Sequence, residues 1–230
     1  MRLHIGWKYV LGFLALNGIV SELHEQAHMT TGRIVHGCYG PRDFNVWQTC
    51  ANGADALPFA ASLAGPLFSY AVMWLGVWLL LGAGTAARKS IGFTLIFAPL
   101  PFARIFTALA GGGDEKVFMM SVAGDALTPA AARLLALAMV LLFCVPPVVV
   151  AWRAVENRWH AAYIAGFCIL PMVVVMAYKF KFLNGLLHDG VLATPAVIGT
   201  PRLVLVVFPA MAVLTAALWD SLKGLATRSR

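Results

Sequence analysis

Long apolar runs separated by shorter polar segments dominate the pattern of this chain. We predict six transmembrane helices, because each run is close to the roughly 20 apolar residues that a helix needs to cross a bilayer. Their predicted bounds, in chain order, are Trp7–Met29, Pro58–Leu81, Ile91–Ala110, Ala130–Trp152, Ala161–Phe182 and Leu203–Leu222. The predicted fold class is an all-α, polytopic membrane helix bundle, with residues 1–230 as a single integral membrane domain.

Two of the polar segments between these runs are long enough to form loops. Thr30–Leu57 joins the first predicted helix to the second, and the glycine-rich segment Gly111–Thr128 joins the third to the fourth. Short charged turns follow the second and fourth helices, and a loop with two prolines precedes the sixth.

Composition and charge agree with a membrane protein. Hydrophobic residues make up 60% of the chain and charged residues 12%, whereas soluble domains carry about 25% charged residues. The net charge of +7 comes from basic residues near the ends of the apolar runs, which suits lipid headgroups rather than nucleic acid.

The distribution of basic residues predicts the orientation. More than half of the Lys and Arg residues fall on the side of both termini; these are Arg2, Lys8, Arg88, Lys89, Arg153, Arg158, Lys223, Arg228 and Arg230. Most of the others, including Lys179 and Lys181, are assigned to the opposite side. By the positive-inside rule both termini are cytoplasmic, in a multi-pass protein of a cell membrane such as the bacterial inner membrane.

One polar stretch at the end of the first predicted helix has the spacing of a metal site. His24-Glu25-Gln26-Ala27-His28 matches the H-E-x-x-H pattern of zinc metallohydrolases. Four residues of α-helix rotate by about 400°, so both imidazoles lie on one face and offer two ligands to one Zn²⁺. Glu25 is then placed to act as general base toward a water at the metal. Asn17 and Ser21 share this face and are interpreted as packing residues.

The alternative for this stretch is a polar helix end at the lipid interface, with the two histidines hydrogen-bonded and no metal. Against it, ionisable groups at the end of an apolar helix are costly in a membrane and usually functional.

A catalytic zinc usually needs a third protein ligand, and candidates must lie at the same membrane depth. Asp114, which follows Gly111-Gly112-Gly113 after the third predicted helix, is the leading candidate, and Glu115 comes next. His188 and Asp189, after the fifth predicted helix, are the second candidates, although Asp-Gly is also a common turn sequence.

Other polar side chains are expected to have structural roles or to lie elsewhere. His36 is predicted to lie beyond the end of the first helix, and His4 and His160 at the opposite membrane face. Arg104, inside the third predicted helix, is expected to form an ion pair with an acidic group of the bundle.

The four cysteines divide into two kinds. Cys38 and Cys50 flank an extracytoplasmic loop, where they either form a disulfide or are two unrelated thiols. Cys144 and Cys168 lie inside apolar runs and are interpreted as packing residues.

Together with a second motif, the H-E-x-x-H stretch resembles the site-2 protease family of intramembrane zinc proteases. Ser62-Leu63-Ala64-Gly65-Pro66-Leu67 is similar to the small-Gly-Pro element that packs against the H-E-x-x-H helix in that family. The resemblance covers residues 7–115 and implies a metallohydrolase-like core there, with additional helices at 130–222. It also implies a Zn²⁺ cofactor and a membrane-protein or peptide substrate cleaved within or near the bilayer.

The third motif of the family is different in this chain. The family places Leu-Asp-Gly in its third core helix as the remaining zinc ligand, but none follows Phe97-Ala98-Pro99-Leu100-Pro101 here. Gly113-Asp114-Glu115 is the nearest match in position, and Leu187-His188-Asp189-Gly190 is the nearest in letters.

The expected function is therefore a membrane zinc metalloprotease with His24, His28 and Asp114 as metal ligands and Glu25 as catalytic base. Two alternatives stay open. One is a metal-binding scaffold or regulator of the same fold without catalysis. The other, less favoured because the ionisable residues cluster at one depth, is a divalent metal transporter.

Overall fold

The computed structural model describes residues 1–50 and 58–227. Within this part the regular secondary structure is helical apart from two short strands, β1 (Arg2–Leu3) and β2 (Ala226–Thr227), which pair antiparallel. The helices are α1 (Trp7–His36), α2 (Pro58–Leu81), α3 (Ala86–Phe97), α4 (Pro101–Leu109), α5 (Asp114–Ala123), α6 (Pro129–Ala154), α7 (His160–Val175), α8 (Asn184–His188), α9 (Arg202–Ala217) and α10 (Trp219–Lys223). A π-helix, Met176–Leu183, joins α7 to α8.

Four helical segments among the described residues are long and apolar enough to cross a membrane. They are Ala60–Leu81, Ala86–Leu109, Pro129–Ala154 and His160–His188, and they indicate a membrane protein. The predicted count of six is met only in part. α9 has 16 residues, fewer than the roughly 20 of a typical span, and α1 carries ionisable side chains along its second half.

Two predicted loops contain helix. α1 continues through His36, so the prediction that His36 lies beyond the helix is wrong. The helix ends only where Gly37 takes a left-handed conformation, with φ 78°, and donates its N–H to the Arg33 carbonyl, as is usual at a glycine C′ position. α5 lies within the predicted loop Gly111–Thr128, because Asp114 and Glu115 favour the first turn of a helix. Residues 51–57 of the first predicted loop, and Arg228 and Arg230, lie outside the described residues.

The third predicted helix is broken. α3 ends at Phe97 and α4 starts at Pro101, with Leu100 between them at φ 54°. Pro99 and Pro101 cannot donate backbone hydrogen bonds. Asn17 of α1 donates its side-chain N–H to the carbonyl of Ala98 at 2.6 Å, so this residue supports the break in the neighbouring helix.

The two ends of the chain meet at one end of the bundle. β1 follows the N-terminus and pairs with β2, and the Ala226 N–H donates to Ser90 at the start of α3. The N-terminal ammonium donates to the Ala154 carbonyl at 2.6 Å and pairs with Glu156 in the turn after α6. This ammonium holds the pKa of the exposed Glu156 carboxyl below its usual value. The N-terminus, the C-terminal strand and two interhelical turns therefore share one end.

Glycines bring α2 and α3 into backbone contact. A Cβ added at Gly76 would lie 2.7 Å from the Gly92 carbonyl oxygen, and one at Gly92 would lie 2.6 Å from the Leu80 nitrogen. Small residues at helix crossings allow this close approach in membrane proteins. Phe93, Ile96 and Phe97, all fully buried, continue the same face of α3 into the core.

We predict that Gly92→Ala lowers the thermal stability of the detergent-purified protein, because the added methyl group meets backbone that cannot move aside. Overpacking of this kind typically costs about 1–3 kcal/mol. Gly166→Ala is the matched control, since its nearest neighbour would be 3.9 Å away. Equal melting temperatures for the two variants would contradict the close packing of α2 on α3.

Candidate metal centre

His24 and His28 face α2 with their Nε2 atoms 3.1 Å apart. The other ring nitrogen of each histidine is hydrogen-bonded to a residue of α2. His24 Nδ1 is hydrogen-bonded to Ser69 Oγ at 2.9 Å, and His28 Nδ1 donates to the Ala61 carbonyl at 2.6 Å. Such contacts on the far nitrogen fix the ring orientation of metal-binding histidines. Both rings are therefore held with Nε2 toward a common point.

Asp114 completes a group of three potential ligands. Its Oδ2 lies 3.4 Å from His24 Nε2 and 3.6 Å from His28 Nε2. Ligand atoms of these three residues all lie within 4.8 Å of one another. Tetrahedral zinc with bonds of 2.0–2.2 Å separates its ligand atoms by about 3.3–3.5 Å, so the three donor atoms have the spacing of one zinc coordination sphere.

Gly65 gives this group its space. A Cβ at position 65 would lie 2.3 Å from His28 Nε2 and 2.6 Å from His24 Nε2. Only glycine therefore fits beside the two histidines, which is a direct structural reason for the Ala64-Gly65-Pro66 element in α2. Pro66 follows inside the helix, where its missing N–H leaves a carbonyl of the preceding turn without its helical donor.

Asp114 is positioned by a buried ionic cluster. Arg104 Nη2 lies 2.6 Å from Glu115 Oε1 and 3.6 Å from Asp114 Oδ2. Tyr70 of α2 donates its hydroxyl to the same Glu115 oxygen at 2.5 Å, and the guanidinium stacks over its ring. The predicted ion pair of Arg104 with an acidic group is confirmed. Glu115 forms this ion pair with Arg104, and of the two acids only Asp114 lies next to the histidines.

The second candidate ligands are not part of this group. His188 is the last residue of α8 and Asp189 follows it. Both are exposed, as expected if Asp189-Gly190 forms a turn. His36 is buried in the last turn of α1, two turns beyond His28. The only potential metal-binding group found among the described residues is the one formed by His24, His28 and Asp114.

Glu25 lies one residue from His24 and is 5% exposed. Within the described ranges, its carboxylate has no hydrogen bond and no ion pair within 4 Å. Its neighbour in the helix, Glu22, is instead fully engaged, with both oxygens bonded to Arg42 at 2.8 and 2.7 Å. The Glu25 carboxylate therefore keeps its lone pairs available to a water molecule or a substrate.

Residues 37–50, which follow α1, pack against the histidines. The Trp47 ring stacks on the His28 imidazole, with centroids 5.7 Å apart and planes 4° apart. Cys38 and Cys50 form a disulfide, which settles the open question of their pairing in favour of a bond. Asn184 of α8 accepts from the Phe44 N–H at 3.1 Å. This segment is therefore attached to α1 and α8 around the histidines.

Sequence analysis missed several residues of this site. Ser69, Tyr70, Arg42 and Trp47 contact it from other segments, and no local pattern marks them. Lys179 is different: sequence analysis assigns it only to the opposite membrane face, but it is a buried lysine inside an apolar helical segment. An ionisable residue within such a segment is itself a signal of function.

Comparison with models of protein families, with characterised proteins and with solved structures finds no match for this chain. The interpretation of the site accordingly rests on its own geometry and chemistry.

We predict that Gly65→Ala reduces the divalent metal bound by the purified protein, because the added methyl group would overlap both Nε2 atoms. The control is Gly185→Ala, where nothing lies within 4 Å of the added methyl. Metal content by mass spectrometry after dialysis against buffered zinc measures the effect. Unchanged stoichiometry in Gly65→Ala would place the metal elsewhere.

Proposed function

We propose that the protein is a membrane-embedded zinc metalloprotease that cleaves membrane proteins or peptides within or near the bilayer. The observation that carries this proposal is the convergence of His24 Nε2, His28 Nε2 and Asp114 Oδ2 within 4.8 Å. They come from two distant segments, and Glu25 lies beside them. Two histidines and a carboxylate with an adjacent glutamate form the residue set of catalytic zinc sites in hydrolases.

The chemistry of these donors favours zinc. Imidazole suits zinc well, whereas Mg²⁺ and Ca²⁺ prefer oxygen ligands throughout. Catalytic zinc sites have three protein ligands and leave one position for water or substrate. When bound, zinc would polarise the scissile carbonyl and lower the pKa of an attacking water. His24, His28 and Asp114 would hold it, and Ser69, Ala61 and Arg104 would orient those three ligands.

Glu25 would carry the proton transfers. Its carboxylate accepts a proton from the attacking water as the water oxygen bonds to the carbonyl carbon. It then donates that proton to the leaving amine as the C–N bond breaks. The substrate reaches this point in an extended form, because a helical segment shields its peptide carbonyls. Asp114, whose side chain is 40% exposed, is the most accessible of the three ligands.

The proposal includes six membrane crossings, with α1 and α9 added to the four apolar helices. The 30 residues of α1 span about 45 Å, which is enough to cross a bilayer. An even number of crossings also agrees with the meeting of both chain ends at one end of the bundle. We assign that end to the cytoplasm, since Arg2, Lys89 and Arg153 belong to it.

A divalent metal transporter is less well supported by the same geometry. A transport path needs ionisable or polar sites at successive depths. Among the described residues, a single potential metal-binding group exists. Toward the start of α1, about three turns before His24, Phe13 packs on Phe167 in the apolar core. A metal-binding scaffold without catalysis is distinguished by the variants that follow.

We predict that Asp114→Ala loses bound zinc and that Asp189→Ala keeps it. Removing one of three protein ligands should weaken zinc binding by more than about tenfold, the loss that even outer-shell changes can cause. Zinc content of the two purified variants beside wild type measures this. The reverse pattern would make Asp189 the ligand.

We predict that Glu25→Gln loses at least about 100-fold in turnover, the scale of general acid–base catalysis, while its zinc content stays at the wild-type level. The assay uses a panel of single-span peptides in proteoliposomes, with cleavage followed by mass spectrometry. Asp220→Asn is the matched control, since that carboxylate is 95% exposed. Cleavage by Glu25→Gln at the wild-type rate would exclude Glu25 as the base. Zinc binding without cleavage of any peptide by wild type would favour the scaffold.

A further inference from the structure

Lys179 is a buried lysine that the proposed mechanism does not yet use. It lies in the helical segment His160–His188, which is apolar enough to cross a membrane, and only 4% of its surface is exposed. Its ammonium donates a hydrogen bond to the Ser21 hydroxyl of α1. A charged group in such an environment costs free energy unless it is paired, and it usually has a function.

The π-helix turns Lys179 toward α1. Pro171, Val175, Lys179 and Leu183 recur every four residues, and all four are buried. In an α-helix each step of four residues drifts by about 40° around the axis, which would carry the end of this series off the buried face. The wider turns of a π-helix reduce that drift, and such turns are frequent at functional sites. Lys181, two residues later, is exposed.

Within the described ranges, Glu25 is the acid around Lys179 that forms no hydrogen bond or close ion pair of its own. The charged residues around Lys179 are Glu22, Glu25, Asp43 and Arg42. Asp43 is engaged locally, since its Oδ1 accepts from the N–H groups of Asn45 and Val46. Arg42 occupies both oxygens of Glu22 in a bidentate ion pair. Ser21, which receives the Lys179 hydrogen bond, lies one helical turn before Glu25 on the same face. The hydrogen bond to Ser21 therefore holds the Lys179 ammonium near Glu25, outside the 4 Å of a direct ion pair.

We propose that Lys179 is a positioning residue for the catalytic base: its ammonium, held by Ser21, fixes the orientation of the Glu25 carboxylate beside the two histidines. This inference rests on the proposed function, because it assigns a partner to the base of that reaction. Lys179 acts through Glu25 and is not part of the group formed by His24, His28 and Asp114. The site then takes its residues from the neighbouring helices α1 and α2, from α5 and from the π-helix.

The same contact suggests a competing interpretation, a Ser21–Lys179 dyad in which the serine is a nucleophile. In the contact as it stands the lysine donates to the serine hydroxyl, whereas a dyad needs a neutral amine that accepts the serine proton. The two interpretations differ in Ser21→Ala. A positioning role predicts a smaller loss than Lys179→Met, because the ammonium remains near Glu25. Complete loss of cleavage in Ser21→Ala would overturn our inference.

The kinetic test compares Lys179→Met, Lys179→Arg and the matched control Lys181→Met in the peptide assay. Lys179→Met should lower kcat about 10–100-fold, as the loss of an orienting partner does in metal sites, with little change in KM or zinc content. Lys179→Arg should recover part of the loss, because it keeps the charge. Lys181→Met should match wild type. Lys179→Met with wild-type kcat, or with zinc lost, would overturn the positioning role.

A stability measurement separates this inference from the proposed function. Melting temperatures of wild type, Lys179→Met, Glu25→Gln and the double variant are measured in detergent with a chelator present. Each single variant leaves one buried charge without its partner, so the double variant should melt higher than the sum of the two single effects predicts. Additive effects would overturn the pairing even if the protein is a protease. Coupling without any proteolysis would keep the pairing and reject the protease.

Discussion

The position of two imidazole nitrogens, 3.1 Å apart inside an apolar helix bundle, is the constraint on which the rest of the site depends. Nε2 of His24 and of His28 point to the same place because Ser69 and the Ala61 carbonyl hold their other nitrogens. Neither ring can turn away without leaving a buried polar group unpaired, which costs about 1–3 kcal/mol. α2 is therefore more than a packing partner, since it sets the direction of both rings and supplies, at Gly65, the space in front of them.

Near the two histidines, acidic side chains are paired with basic ones. On one side, Arg104 is bonded to Glu115 and lies next to Asp114, while Tyr70 holds Glu115 from α2. On the other side, Arg42 neutralises Glu22. Burying unpaired charges in a region of low dielectric is costly, so each acid near the site has a basic neighbour. Of these acids, Glu25 alone keeps an unbonded carboxylate among the described residues, which distinguishes it from the structural acids around it.

Sequence reasoning reaches the geometry of this region where helical spacing or helix direction determines it, and it misses contacts made by irregular segments. The common face of His24 and His28 follows from a four-residue spacing. The depth of Asp114 follows from helix direction, because the helices before these residues run the same way. Arg42 could not be foreseen, since its partner Glu22 lies across a turn with no periodic signal. The predicted end of α1 at Met29 is wrong, since the helix continues to His36. Thr30, Thr31 and Gly32 have weak helix propensity, and the contact of Trp47 with Gly32 has no signal in the local sequence.

Departures from regular helix supply the polar groups of the site. Pro66 interrupts hydrogen bonding in α2 immediately after Gly65, and the break at Leu100 starts the short helix that carries Arg104. The π-helix brings in Lys179. In a bilayer, irregular backbone is tolerated only where protein covers it or water reaches it. The irregularity at Pro66 adjoins the histidine pair, and the π-helix brings Lys179 to Ser21, one turn before Glu25. The break after Ala98 borders the apolar core, and there Asn17 of α1 covers the free carbonyl.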